Sequence, residues 1–145
     1  MTKLLKRPVY LLLSFTWGLP LSLAGAIWSL VMLVTGHRPQ RFGDCLRFEF
    51  GRGWGGASFG WVFYTQKDPS LWLMQHEHGH GLQNLLFGPL MPFLVCLPSS
   101  VRYHYRNAVT RMRPRKQLRP YDAVWFEGWA TRLGRKYFPT EETRY

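Results

Sequence analysis

Residues 76–80 read His-Glu-His-Gly-His, which satisfies the pattern H-E-x-x-H. On a helix, positions four apart are just over one turn from each other, so His76 and His80 share a face and can hold one zinc ion. Glu77 is adjacent and can reach a water on that metal as general base. With five His and five Glu in 145 residues, chance supplies about 0.006 such matches. A merely polar helix face, the blander reading, has no use for three histidines and a glutamate just ahead of an apolar segment. His78 lies two residues from each ligand candidate and points about 200° around the helix. It is expected to be a supporting or surface histidine.

A catalytic zinc usually takes three protein ligands and keeps one position open for water. The downstream acids are Asp122, Glu127, Glu141 and Glu142, and the only downstream histidine is His104. Glu141 and Glu142 sit in a polar tail. Glu127 falls within 121–134, where Tyr121, Trp125, Trp129 and Leu133 recur every four residues and Val124 and Phe126 add apolar surface. That pattern predicts a helix with buried faces ending at Gly134. A carboxylate buried unpaired among such aromatics is costly. A metal explains it; an ion pair with Arg132 or Arg135 is the alternative, and His104 is the competing third ligand. An oxyanion formed at such a site needs a donor, for which Tyr103, His104, Tyr105 and Tyr121 are the available side chains.

Certain elements must position these residues. Ser70 is a helix N-cap, and the helix carrying His76 and His80 is predicted over 71–87. Before it, residues 36–75 read as a loop with a β-hairpin: Arg47–Phe50 alternates polar and apolar, Gly51–Gly56 makes the turn, and Ala57–Tyr64 returns. The returning strand can serve as an ordinary structural strand or pair edge-on with an extended peptide. After it, Gly81–Val101 holds 21 residues without charge, interrupted by Gly88, Pro89, Pro92 and Pro98. A break at Gly88-Pro89 and then a short apolar helix or membrane-dipping segment are expected there.

From Pro8 through Gly36 another 29 residues carry no Asp, Glu, Lys, Arg or His. A bilayer core needs roughly 20 apolar residues in a helix, so 9–35 is a transmembrane candidate that Gly18-Leu-Pro20 should kink or break. A secretory signal is the alternative, with Lys3, Lys6 and Arg7 as its basic end and Ala24-Gly-Ala26 as its cleavage site. Ile27–Val34, apolar beyond that cut, speaks for retention.

The remaining composition narrows the class. At 145 residues and 17.1 kDa the chain fits one domain or a small membrane protein. Aromatic residues at 17% exclude disorder, and two cysteines exclude a disulfide-dense scaffold. No Cys45–Cys96 disulfide is expected, Cys45 being read into a polar loop and Cys96 into an apolar stretch. Nineteen Lys and Arg against eight Asp and Glu give a net charge of +11. The cluster Arg111–Lys116 with Arg119 reads as contact with anionic lipid; no nucleic-acid recognition motif accompanies it. Residues 36–75 and 102–145 hold 16 basic residues against three before the first apolar run. That imbalance leans the soluble parts towards the cytoplasmic face, while Lys3, Lys6 and Arg7 pull the other way.

His76-Glu-x-x-His80 followed at a distance by Glu127-x-x-Ala130 resembles the glutamate-liganded zinc metallopeptidases, the gluzincins. More closely, the chain is similar to a group of small bacterial membrane proteins that carry a glycine-rich hairpin, His-Glu-x-Gly-His-x-x-Gln, Gly-Pro-Leu and a late Glu-x-x-Ala-Asp helix. Here these are Gly53–Gly60, His76–Gln83, Gly88–Leu90 and Glu127–Ala130, so the likeness covers most of the chain. Thr131 departs from it, standing where Asp would orient a metal-binding histidine. The resemblance implies a mainly α membrane protein with a small β-hairpin, an N-terminal transmembrane helix and a compact zincin-like helical core. Its parts are a transmembrane segment over 1–36 and a metal-binding domain over 37–145, with a membrane-associated apolar segment at 82–101. It further implies Zn2+ on His76, His80 and Glu127, Glu77 as catalytic base, and hydrolysis of peptide bonds by a zinc-activated water. The implied partners are the lipid bilayer, in a bacterial inner membrane, and a peptide or protein substrate. A non-catalytic membrane protein with a structural zinc is the alternative function.

Overall fold

The computed structural model describes residues 6–137, so Lys3, Glu141 and Glu142 lie outside the described residues. The chain is mainly helical with one four-stranded sheet. Helices α1 (Arg7–Phe15) and α2 (Leu19–Val34) come first. They meet at a bend of 98°. Pro20 sits in the first turn of α2, where its missing N–H leaves no hydrogen bond unmade. The expected single N-terminal transmembrane helix is therefore two helices, broken close to the glycine and proline.

Strands β1 (Gln40–Phe42), β2 (Cys45–Glu49), β3 (Gly56–Phe59) and β4 (Val62–Thr65) follow. They lie in the order β1-β2-β4-β3. The expected hairpin across Gly51–Gly56 does not form. Residues 45–49 instead pair in parallel with β4, with Leu46 opposite Val62 and Glu49 opposite Thr65. The segment read as one returning strand is itself a tight hairpin, with Phe59 opposite Val62 and Gly60-Trp61 as the turn. Gly60 has φ +76, backbone that a glycine adopts without a Cβ clash and that a two-residue hairpin loop requires. β3 is thereby left as an edge strand.

Both arms of the N-terminal bend grip the turn and strand β4. The Tyr10 hydroxyl donates to Gly60 O at 3.0 Å. The Trp61 indole donates to Ser22 O at 3.0 Å, and the Tyr64 hydroxyl lies 2.8 Å from Gly25 O and 2.9 Å from Ser29 Oγ. These bonds satisfy polar groups at two buried clusters, Tyr10 among Phe42, Cys45, Phe63, Met74 and Leu82, and Tyr64 among Met32, Phe48 and Val62, with Trp61 packed against the second. Cys45 is thus buried, not in a polar loop, and both cysteines are free.

Helix α3 (Leu71–Phe87) has the expected bounds, with Ser70 Oγ accepting from Leu73 N at 3.1 Å. It stops at Gly88, whose φ of +51 leaves the helical region. A 3₁₀ turn (Gly88–Leu90) and a π-helical stretch (Pro92–Cys96) lead into α4 (Leu97–Met112). The short apolar helix expected after the break is thus a longer one that runs well past the apolar segment. A turn at Tyr121–Ala123 precedes α5 (Trp125–Tyr137). The helix expected over 121–134 is interrupted at Val124, which is extended, and it continues through Gly134. Among the described residues no single helix is long and apolar enough to cross a membrane.

Candidate metal centre

α3 and α5 pack with almost no space between their backbones. A Cβ built on Gly79 would fall far inside the 3.0 Å that real Cβ atoms keep, against the carbonyl of Ala130, and one on Gly134 would do the same against the carbonyl of Gln75. Two glycines and the fully buried Ala130 therefore set the depth at which Glu127, one turn before Ala130, meets α3. This gives Gly79 and the alanine of Glu127-x-x-Ala130 a steric reason.

The approach brings the sequence-predicted residues together. His76 Nε2 and His80 Nε2 are 3.2 Å apart, and each lies 3.0 Å from Glu127 Oε2. All three side chains are buried, and together they form a group that could hold a metal ion. A tetrahedral zinc with bonds of about 2.0–2.1 Å spaces its ligand atoms by about 3.3 Å, close to this triangle. The outer nitrogens supply a further test. His80 Nδ1 lies 2.7 Å from Gln83 Oε1, and the Gln83 amide is oriented by donating its Nε2 to Phe126 O at 2.8 Å. An amide oxygen only accepts, so Nδ1 carries the proton and the lone pair of neutral His80 sits on Nε2, facing the Glu127 carboxylate. His76 Nδ1 meets Thr131 Oγ1 at 2.9 Å, and Trp72 stacks on its ring at 5.1 Å. A lone pair aimed at a carboxylate needs a cation between them, a proton or a metal. The residues fit a metal.

The charge balance agrees. Burial opposes charge on His80, but the hydrogen bond to Glu127 and the charges of Glu77 and Glu127 outweigh it and raise its pKa. Burial likewise opposes ionisation of Glu127, yet hydrogen bonds from His76, His80 and Ser99 hold the carboxyl well below the usual range. Glu77 is buried beside the triangle without joining it, and burial raises its pKa despite the opposing pull of His76 and His80. Its carboxyl lies over β3, where a Cβ on Gly56 would come within 2.7 Å of Oε1. The four side chains line a cavity of about 610 Å³, with Gly56–Phe59 along one wall.

The competing assignments do not assemble. Glu127 bonds His76, His80 and Ser99, not Arg132 or Arg135. His104 is exposed on α4 beside Tyr103 and does not line the cavity. Of the oxyanion candidates, Tyr103 and Tyr121 line it and Tyr105 does not. Asp122 is in the turn before α5 and is absent from the cluster. His78 is fully buried on the opposite side of α3, not on the surface, 5.8 Å from the Tyr10 ring and 3.3 Å from Asp44 N. Burial pushes its pKa down to about 3.

One contributor was missed. Ser99 donates to Glu127 Oε1 and lies 3.3 Å from the Tyr121 hydroxyl. Its only signal is that Ser99-Ser100 is a polar pair inside the second apolar run. Compared with known proteins, the chain matches no protein-family model, no curated protein and no solved structure.

Proposed function

We propose that the chain is a membrane-associated zinc metallopeptidase with His76, His80 and Glu127 as the metal ligands and Glu77 as general base. The observation that carries this reading is the buried triangle of three donor atoms with a fourth, non-ligating carboxyl beside it in an open cavity. Zinc held there supplies Lewis-acid polarisation of a carbonyl and a bound water with a pKa near 7. Three protein donors among the described residues, where a closed structural site uses four, favour an open position and hence catalysis over the structural alternative.

The chain's own residues then have defined tasks. Edge strand β3 offers unpaired backbone groups to an extended peptide and would lay it across the cavity beside Glu77. Glu77 takes the proton of the attacking water on its carboxylate and returns it to the leaving amine. Burial raises its pKa above the ordinary carboxyl value, the direction a general base working near neutral pH needs. Tyr121 or Tyr103 would donate to the oxyanion. Gln83 and Thr131 fix the two imidazoles with Nε2 inward. Thr131 brings no charge where the resembled pattern has Asp, so it orients His76 by a hydrogen bond alone.

Glu77→Gln tests the reading. The variant should retain zinc and lose peptidase activity towards a denatured-protein or peptide-library substrate. Activity that survives removes Glu77 as base. Zinc bound equally well by a wild-type protein that cleaves nothing supports the structural site instead.

A further inference from the structure

The outer face of α2 exposes Leu23, Ile27, Leu30 and Val34, at 53%, 59%, 63% and 87%. Their spacing of four, three and four puts them on one stripe. The second apolar run exposes Leu86 and Leu90 before its bend and Phe93, Leu97 and Val101 after it, all between 55% and 70%. The two elements pack on each other through Leu21, Met91 and Val95, so the stripes are outer faces of neighbouring elements. Exposed apolar area on this scale is rare on a protein surrounded by water.

Among the described residues no single helix of either run is long and apolar enough to cross a bilayer, and each run is a sharply bent pair. Straight, residues 7–34 would extend about 42 Å, ample for a hydrocarbon core of about 30 Å. Bent by 98°, with both arms bonded to Gly60, Trp61 and Tyr64, the longer arm reaches only about 24 Å. The second run bends by 116° between Leu71–Leu90 and Pro92–Met112.

The charges show what covers the stripes. Lys6 and Arg7 precede the first run, and Arg38 and Arg41 follow it, so cations stand at both of its ends. Residues 102–121, directly after the second run, hold seven Lys and Arg and no Asp or Glu. A crossing helix would place one cationic end on each side, against the usual asymmetry. A bent helix pair places both ends on one side, facing anionic headgroups.

We infer that the chain is monotopic: both apolar runs sink into a single anionic leaflet and return, and neither crosses. The inference refines the membrane location proposed above and is independent of the chemistry at the metal centre. Leu21, Met91 and Val95, which join the two runs, also line the cavity of the metal centre. The cavity thus borders the membrane-seated part, and on the peptidase reading, on which this last step alone rests, its substrate is a peptide segment at the water–lipid boundary.

The test uses the full chain in inverted inner-membrane vesicles of a bacterial expression host. Lys6→Cys and His37→Cys variants are treated with a membrane-impermeant maleimide before and after detergent, and labelled peptides are mapped to separate these sites from Cys45 and Cys96. Both sites should react equally without detergent. Reaction at only one of them means that the first run crosses, which overturns the inference while leaving a membrane peptidase intact. A second arm floats purified protein on vesicles of phosphatidylcholine alone or with 30% phosphatidylglycerol. Recovery should rise at least several-fold with the anionic lipid. It should fall in Leu23→Ser/Ile27→Ser/Leu30→Ser, whose exposed positions leave the fold and zinc content unchanged. A wild-type chain that stays in solution without lipid as a dimer, its stripes covered by a second copy, overturns both this inference and the membrane location.

Discussion

Gly79→Ala should damage the metal centre although it touches no ligand. In an exposed helix this change stabilises by up to about 1 kcal/mol, because alanine has the higher helix propensity. Here the new methyl collides with the Ala130 carbonyl, well inside the 3.0 Å limit. To restore ordinary contact, α5 must retreat by about 1 Å or more, and overpacking of that kind costs about 1–3 kcal/mol. The sign predicted by propensity therefore reverses, and for a chain of this size the melting temperature should fall by about 3–10 °C. The same retreat carries Glu127 Oε2 away from His76 and His80, which it now approaches to 3.0 Å. Zinc affinity should drop by about 10-fold or more, the scale of losing a supporting contact at a metal ligand. Gly134→Ala is the control. It meets an equally close backbone carbonyl, that of Gln75, but two turns from Glu127, so it should cost similar stability and less metal affinity. Calorimetry and zinc titration of both variants decide the matter. A Gly79→Ala protein that is as stable as wild type and binds zinc equally well would refute the claim that backbone proximity of α3 and α5 sets the site.

Zinc titration should find His76→Ala, His80→Ala and Glu127→Ala all severely impaired, while His104→Ala, altered at an exposed position, binds as wild type. His78→Ala should keep its zinc affinity but lose about 2 kcal/mol or more of stability by leaving a cavity in the core, read by chemical denaturation. Thr131→Val removes the hydrogen bond to His76 Nδ1 and should weaken zinc binding by about 10-fold. For pH, His78 has a folded-state pKa near 3 against an ordinary 6.5. The unfolded chain takes up a proton that the folded chain refuses, so stability falls as pH drops from 6.5 towards 3. His78→Gln should flatten that limb in urea melts at successive pH values. Glu127 acts in a lower window: its folded-state pKa is lowered, so its contribution is complete above the ordinary carboxyl range and is lost as pH falls through that range towards the lowered value.

The parts written in local chemistry were legible. Ser70 and the run to Phe87 delimit α3 because an N-cap and a glycine stop act within a few residues. Glu127 stood out because a carboxylate among aromatic residues needs a partner. The sheet was not legible. The alternation of 47–50 and 57–64 is compatible with a hairpin or with a parallel pair, and Gly60 in the middle of an apparent strand was the one sign of a turn there. His78 was misread because an angle on a helix says which residues share a face, not which faces are covered. α3 is buried towards α5 on one side and towards Tyr10 and Phe42 on the other. Ser99 belongs to the site only through the wide turn at Pro92–Cys96, a tertiary feature without a local signal.

The account stands most directly on the atoms around the metal. Zinc K-edge X-ray absorption on the purified chain should show one zinc per chain with four nitrogen or oxygen neighbours at about 2.0–2.1 Å, two of them imidazoles. Well under half an equivalent of zinc after supplementation, or a sulfur neighbour at about 2.3 Å, would contradict a site made of His76, His80 and Glu127.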